Sequence, residues 1–384
     1  MDRATLSALL AALALAGLPL PLKGAPPAWP VDPAAAAAEL EAQSGAVRYP
    51  APSTDIRGVL RFALEAAAAH GNPGCLHDAL LLARSMQDTD PASPTHGNFR
   101  WHLADRAADD PAAVEFAAEL ASLLRIAWGA GLPEADRRLL DRILDDALPA
   151  LGRHRVTPYD SSLHLLRSWN FIAIGEALGR GPTAEEGYKH LDEWIRYTVL
   201  NGIAEFGTPA GYAVDLDALA LIARYGTHKA GRQVAEIGIN YIWTDLAANW
   251  WTAGQRPGGA SSHGAGFMRG RADLAAHTWA AGWLGPKPPA LQDDGWLPGP
   301  HEHLTAFLNA CAWVPREEVT EQIRGHIPRM VVQRWCYTPL TMRTTQHVGR
   351  HATIGAFGDC RADDDQTLVV NLGDSPAIAP LAEV

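Results

Sequence analysis

Apolar residues recur at helical spacing through most of the chain. Ser53-Thr54-Asp55 supplies a cap for a helix reaching about His70, with Val59, Leu60, Phe62 and Leu64 on its apolar side. Residues 76–86 predict a second. Asp110-Pro111 marks a helix start, followed by Val114, Phe116, Leu120, Leu123, Leu124 and Ile126. Pro133-Glu134 opens the next, with Leu139, Leu140, Ile143, Leu144, Leu148 and Leu151 on one stripe. Residues 161–178 are apolar nearly all round (Leu163, Leu165, Leu166, Trp169, Phe171, Ile172, Ile174), so this helix is expected to be buried on every side. A more amphipathic helix follows from Pro182 to about Asn201. Residues 214–225 are again apolar, and residues 227–249 again mixed.

Buried helices thus alternate with amphipathic ones across short loops. That alternation predicts a mainly α fold in which an inner ring of helices is wrapped by an outer ring, an (α/α) toroid. A plain bundle or a helical solenoid is the rival, and no fixed repeat of the solenoid kind is evident. Past Arg324 the pattern changes. Residues 330–337, 342–348, 353–357 and 367–372 are short, β-branched or aromatic runs bounded by Gly, Pro or Asp, and they predict a small antiparallel sheet. At the other end, Met1-Asp2-Arg3 precedes an apolar stretch to Leu22, then small residues around Gly24-Ala25. This has the form of a secretory signal. The expected division is a leader over 1–25, a helical toroid over 26–323 and a β-rich region over 324–384, with a periplasmic or secreted location.

Composition supports a folded chain: of 384 residues, 47% are hydrophobic and 20% charged. The formal charge of −11 argues against general nucleic-acid binding, which favours a basic footprint. One basic stretch departs from this balance, with Arg324, Arg329, Arg334, Arg343, Arg350 and Arg361 joined by His326, His347 and His351. It is either an anion-binding face or a solvated surface. Thirteen Trp against eight Phe and eight Tyr supply flat rings suited to cores, interfaces and sugar faces alike. The four Cys show no C-x-x-C pair and no metal-ligand spacing. In an exported chain Cys336 and Cys360 could pair. No cofactor motif, stable membrane span or convincing metal site is expected, and His301-Glu302-His303 lacks a third ligand.

Candidate chemistry gathers in four places. The first is a polar-aromatic loop with His96, Asn98, Arg100, Trp101 and His102. The second is Asn170, a polar amide in the most apolar helix, which must be hydrogen-bonded or face a cavity. The third runs from Glu205 through Tyr212 to Asp215 and Asp217. Glu205 and Tyr212 are expected in the loop before a helix opening near Val214, with Asp215 near its start. The fourth joins Asn249-Trp250-Trp251 to a Gly-rich loop carrying His263, Arg269 and Arg271.

A leader, paired helices enclosing a cleft and a β-rich tail resemble the toroid polysaccharide lyases of the alginate, heparin and chondroitin type. The resemblance implies β-elimination on a uronate-containing polysaccharide or oligosaccharide. In such enzymes a neutral amide offsets the uronate carboxylate, a His or Tyr takes the C5 proton, a Tyr protonates the leaving oxygen and an Arg binds the acid. Here it points to Asn170 or Asn249, to His263, to Tyr212, and to Arg100 or Arg269. A glycoside hydrolase on the same ring is the main alternative, pairing Glu205 with Asp215, Asp217 or Asp245. A non-catalytic glycan binder would use Trp101, Trp250 and Trp251 as platforms. A terpene-cyclase-like enzyme would need an apolar pocket, and the chain shows no D-D-x-x-D or D-x-D-D cluster except the run Asp363-Asp364-Asp365.

Overall fold

The structure, a computed structural model, describes residues 29–30, 32–69, 73–262, 271–287, 305–325, 327–336, 341–358, 368–372 and 382–383. Among these the chain is mainly helical, with a small antiparallel sheet at its C-terminal end. Helix α1 (Pro33–Arg48) starts where Asp32 accepts from the amides of Ala34 and Ala35, with Pro33 in the first turn. Helix α2 (Ile56–Ala68) is capped by the expected Asp55, which accepts from the Arg57 amide. Then come α3 (Pro73–Met86), α4 (Ala113–Trp128), α5 (Glu134–Arg153), α6 (Ser161–Ala177), α7 (Gly181–Asn201), α8 (Pro209–Tyr225) and α9 (Lys229–Asn249). A short ribbon of β1 (Trp250–Trp251) and β2 (Arg256–Pro257) precedes α10 (Arg271–Ala280), α11 (Ala306–Cys311) and α12 (Glu317–Arg324). The sheet runs β3 (Arg329–Cys336), β4 (Thr341–Val348), β5 (Ala352–Gly358), β6 (Leu368–Leu372) and β7 (Ala382–Glu383), each strand antiparallel to the next.

Two helix starts differ from expectation. Helix α4 begins at Ala113 because Asp110 spends its Oδ1 on the Ala112 amide, closing a turn before the helix can open. Helix α8 begins at Pro209, well before Val214, since a proline lacks only an amide that the first turn leaves unpaired. Tyr212 is therefore on the helix, and Asp215 is a buried helical residue rather than a terminal cap.

Helices α2, α4, α6 and α8 touch in succession, and each packs on the helix that follows it in sequence. They are buried along most of their length, whereas α5, α7 and α9 keep solvated faces. Helix α11 contacts both α8 and α2. Its start is held by Glu65, a buried residue of α2 whose carboxyl accepts from the amides of Ala306 (2.9 Å) and Phe307 (3.4 Å). Burial pushes the Glu65 carboxyl from its ordinary 4.5 up to about 7, against those amides and Arg61, which favour the charged form. A raised folded pKa makes its contribution fully present below about pH 4.5 and lost as pH rises towards 7. The loss amounts to about 3 kcal/mol. In Glu65→Gln the amide oxygen still accepts but nothing ionises. Thermal melts from about pH 5 to about pH 8 should show stability falling more steeply in the wild type than in the variant, which keeps the fall due to Asp215 and Asp245. Parallel curves would remove Glu65 as the cause.

Candidate active site

The α8–α9 pair brings Tyr212, in the first turns of α8, against Asp245 near the end of α9. The Tyr212 hydroxyl donates to Asp245 Oδ2 at 2.5 Å. One turn beyond, Asn249 Nδ2 donates to Asp245 Oδ1 (3.1 Å) and to the Asp245 carbonyl (3.0 Å), helical i, i+4 geometry that its position dictates. Gln333 of β3 joins them: its Nε2 donates to Asp245 Oδ1 and its Oε1 accepts from Asn249 Nδ2 at 3.0 Å. Tyr212 has no exposed surface and Asp245 is buried. Burial, with the Asp245 charge second, holds the Tyr212 phenol well above its ordinary value. Burial also raises Asp245, outweighing its three donors. The pair therefore retains a proton.

Arg329 fixes the end of α9 to the sheet, donating to the carbonyls of Ala247 (3.2 Å), Ala248 (3.0 Å) and Trp250 (2.6 Å). A cation there complements the negative end of the helix dipole. Residues 257–262 are tied on both sides. Thr353 Oγ1 (2.7 Å) and Asn371 Nδ2 (3.2 Å) donate to the Gly258 carbonyl. On the other side the Ser262 amide donates to the Phe206 carbonyl at 3.1 Å, and Thr208 Oγ1 to the Ser262 carbonyl. Between loop, helix end and sheet lies a cavity of about 20 Å³, lined among others by Phe206, Asp245, Asn249, Gln333, Thr344 and Gln346.

A second acidic pair lies at the start of α6. Glu205 Oε2 accepts from Ser162 through its amide (3.1 Å) and hydroxyl (2.7 Å), at a helix N-terminus that favours an anion. Asp215 Oδ2 accepts from Ser161 Oγ at 2.9 Å, and that oxygen accepts from Trp194 Nε1 at 2.9 Å. Asp215 is fully buried, and among the described residues its Oδ1 has no hydrogen-bond partner. Its carboxyl is raised well above the usual range, by burial first and by the Glu205 charge second.

Several expected site residues do other work. Asn98 donates to the carbonyls of Ala108 and Asp110; Arg100 donates to those of Leu103, Asp105 and Ser85; Trp101 Nε1 donates to Asp110 Oδ2. With His96, whose carbonyl accepts from Arg153, they shape the turn before α4 rather than converge on Tyr212. Asn170 is completely buried and donates to the Glu115 carbonyl at 2.9 Å, joining α6 to α4 instead of facing a cleft. Trp250 and Trp251 are each 1% exposed, since the ribbon after α9 folds both rings inward, Trp250 against Trp283 and Trp251 beneath Arg256. Neither ring offers a stacking surface. Asp217 pairs with buried His277 at 3.0 Å and is withdrawn from the acidic pair. His263, Arg269, residues 301–303, residues 363–365 and Cys360 lie outside the described residues.

Sequence reasoning missed Ser161, Ser162, Gln333, Thr344 and Gln346. No local signal marked the last three: residues 343–347 of β4 are all polar and Met330-Val331-Val332 of β3 are all apolar, so the strand pattern does not say which polar residues face inward. Among the described residues no group of three or more His, Cys, Asp or Glu side chains could hold a metal ion, and no helix is long and apolar enough to cross a membrane. No family model matches the chain, and no curated protein matches it either.

Proposed function

We propose that this chain is an exported carbohydrate-active enzyme that cleaves a uronate-containing polysaccharide or oligosaccharide by β-elimination, on an (α/α) toroid. Support for the ring comes from the neighbour pattern, in which α2, α4, α6 and α8 touch in turn, each is backed by its successor, and α11 connects α8 to α2. One observation carries the chemistry. Tyr212 and Asn249 converge on Asp245 beside a cavity also lined by Pro257, Gly259 and Ala260, in the segment that precedes His263 in sequence.

Elimination next to a carboxylate needs the acid's charge offset, a base for the C5 proton and a proton for the leaving oxygen. Asn249 spends its Nδ2 on Asp245 and Gln333, so it positions Asp245 and the charge offset falls to Arg269. His263 takes the C5 proton, imidazole being the side chain suited to proton transfer near neutral pH. Tyr212 has no exposed surface, so its proton reaches the substrate through Asp245, which lines the cavity.

The second reading is hydrolysis, favoured by Glu205 held at the α6 N-terminus beside a buried Asp215 whose carboxyl burial raises above the usual range. Single variants separate the two. Ultraviolet absorbance of an unsaturated uronate that vanishes in His263→Ala and persists in Glu205→Gln supports elimination. New reducing ends without that absorbance, lost in Glu205→Gln, would replace it with hydrolysis.

A further inference from the structure

Both faces of the C-terminal sheet mix apolar and polar residues: Val348, Phe357 and Val369 are buried on one, and Arg334, Arg343 and His347 are exposed on the other. The outward positions also include Met330, Val332, Ile354 and Leu372, all exposed, while Thr344, Gln346, Thr353 and Asn371 are buried. Polar side chains withdrawn from bulk water are tolerated only where their atoms find partners. Most of them do. Thr353 and Asn371 hold the Gly258 carbonyl, Asn371 Oδ1 accepts from Arg256 at 2.7 Å, and Gln333 holds Asp245.

Three polar atoms remain. Asn249 Nδ2 faces the Asp245 and Gln333 oxygens, and Gln346 Nε2 donates to the Asn249 carbonyl at 3.2 Å, which fixes the orientation of both amides. Asn249 Oδ1, Gln346 Oε1 and Thr344 Oγ1 are then left without a protein hydrogen bond among the described residues. All three side chains line the same cavity, and no described cationic side chain does. The two amide oxygens beside an acid call for a donor and repel a carboxylate, which can only accept, while the Thr344 hydroxyl can donate or accept. About 20 Å³ is room for a water or one short arm of a ligand. Gly259 keeps that space: a Cβ there would lie 2.0 Å from Gln346 Oε1.

We propose that this cavity is a subsite for a neutral sugar residue, whose hydroxyl or hydroxymethyl arm displaces water, donates to Asn249 Oδ1 or Gln346 Oε1 and accepts from Thr344 Oγ1, and that the two amide oxygens exclude a uronate carboxylate. The proposal rests on the carbohydrate-active reading and narrows it to polymers that carry neutral residues beside their acids.

The test is titration calorimetry of the full chain with neutral gluco-, manno- and galacto-oligosaccharides and with the corresponding oligouronates. At least one neutral series should bind more tightly than its uronate counterpart. Thr344→Val, close to isosteric, should weaken that binding about tenfold. Gly259→Ala should abolish it, with the circular dichroism of both variants unchanged. Oligouronates binding as tightly as neutral sugars, unchanged affinity in Thr344→Val, or no binding of any neutral series would each overturn the subsite. Failure of the elimination reading registers separately: neutral binding retained without unsaturated product leaves the subsite in place and removes the lyase.

Discussion

Gly187→Ala is expected to destabilise the protein by about 3 kcal/mol or more, although alanine ordinarily stabilises a helix interior over glycine by about 1 kcal/mol. The reversal follows from how α6 meets α7. A Cβ on Gly187 would sit 2.6 Å from the Ile172 amide nitrogen and 2.7 Å from the Ser168 carbonyl oxygen, backbone atoms that have no rotamer to yield. Gly175 makes the reciprocal approach, 2.3 Å from the Ala184 amide nitrogen. Adding either methyl forces the helices apart, and α6 carries Ser161 and Ser162, which hold Asp215 and Glu205. Gly152, near the end of α5, is the control, because nothing lies within 4 Å of the Cβ it would gain. Chemical denaturation should show Gly152→Ala at or slightly above wild type and Gly187→Ala far below. Equal behaviour of the two would mean that the close approach of α6 and α7 is wrong.

Tyr212→Phe should lower the elimination rate by about 10²–10⁴-fold while costing only about 1–2 kcal/mol of stability. The ring volume is kept, so packing in α8 survives. What disappears is the donor at 2.5 Å from Asp245 Oδ2. Asp245 then keeps the Asn249 and Gln333 donors and loses the group with which it shares a proton. Steady-state rates and thermal melts measured together decide the matter. A variant that loses stability but turns over normally would reduce Tyr212 to a structural tether.

Much of the helical frame was legible because it rests on local rules. Asp55 caps α2, Pro133 precedes α5, and the apolar run of α6 is buried on nearly every side, all from periodicity and end chemistry. The start of α8 falls before the expected Val214 because Thr208-Pro209 suits a turn and a first helical turn alike, and the structure has the latter. The candidate site was harder. Glu205, Tyr212 and Asn249 stand at helix ends where chemistry was sought, but the Tyr212–Asp245 contact depends on the pairing of α8 with α9, which no local signal encodes. Gln333 reaches Asn249 from 84 residues away. Trp250 and Trp251 misled because Trp composition carries no information on which way a ring points, and the ribbon after α9 turns both inward. His96, Asn98, Arg100 and Trp101 misled for another reason. A dense polar loop equally suits a turn whose side chains satisfy its own carbonyls.

The most direct measurement is to incubate the protein with polysaccharides of mixed uronate and neutral composition and to count unsaturated ends and new reducing ends in the same sample. Elimination creates one C4–C5 double bond for every bond broken, so the two counts should rise together and the products should be one water lighter than hydrolysis products. Reducing ends that accumulate without unsaturation, or no cleavage of any uronate-containing polymer, would contradict elimination at this site.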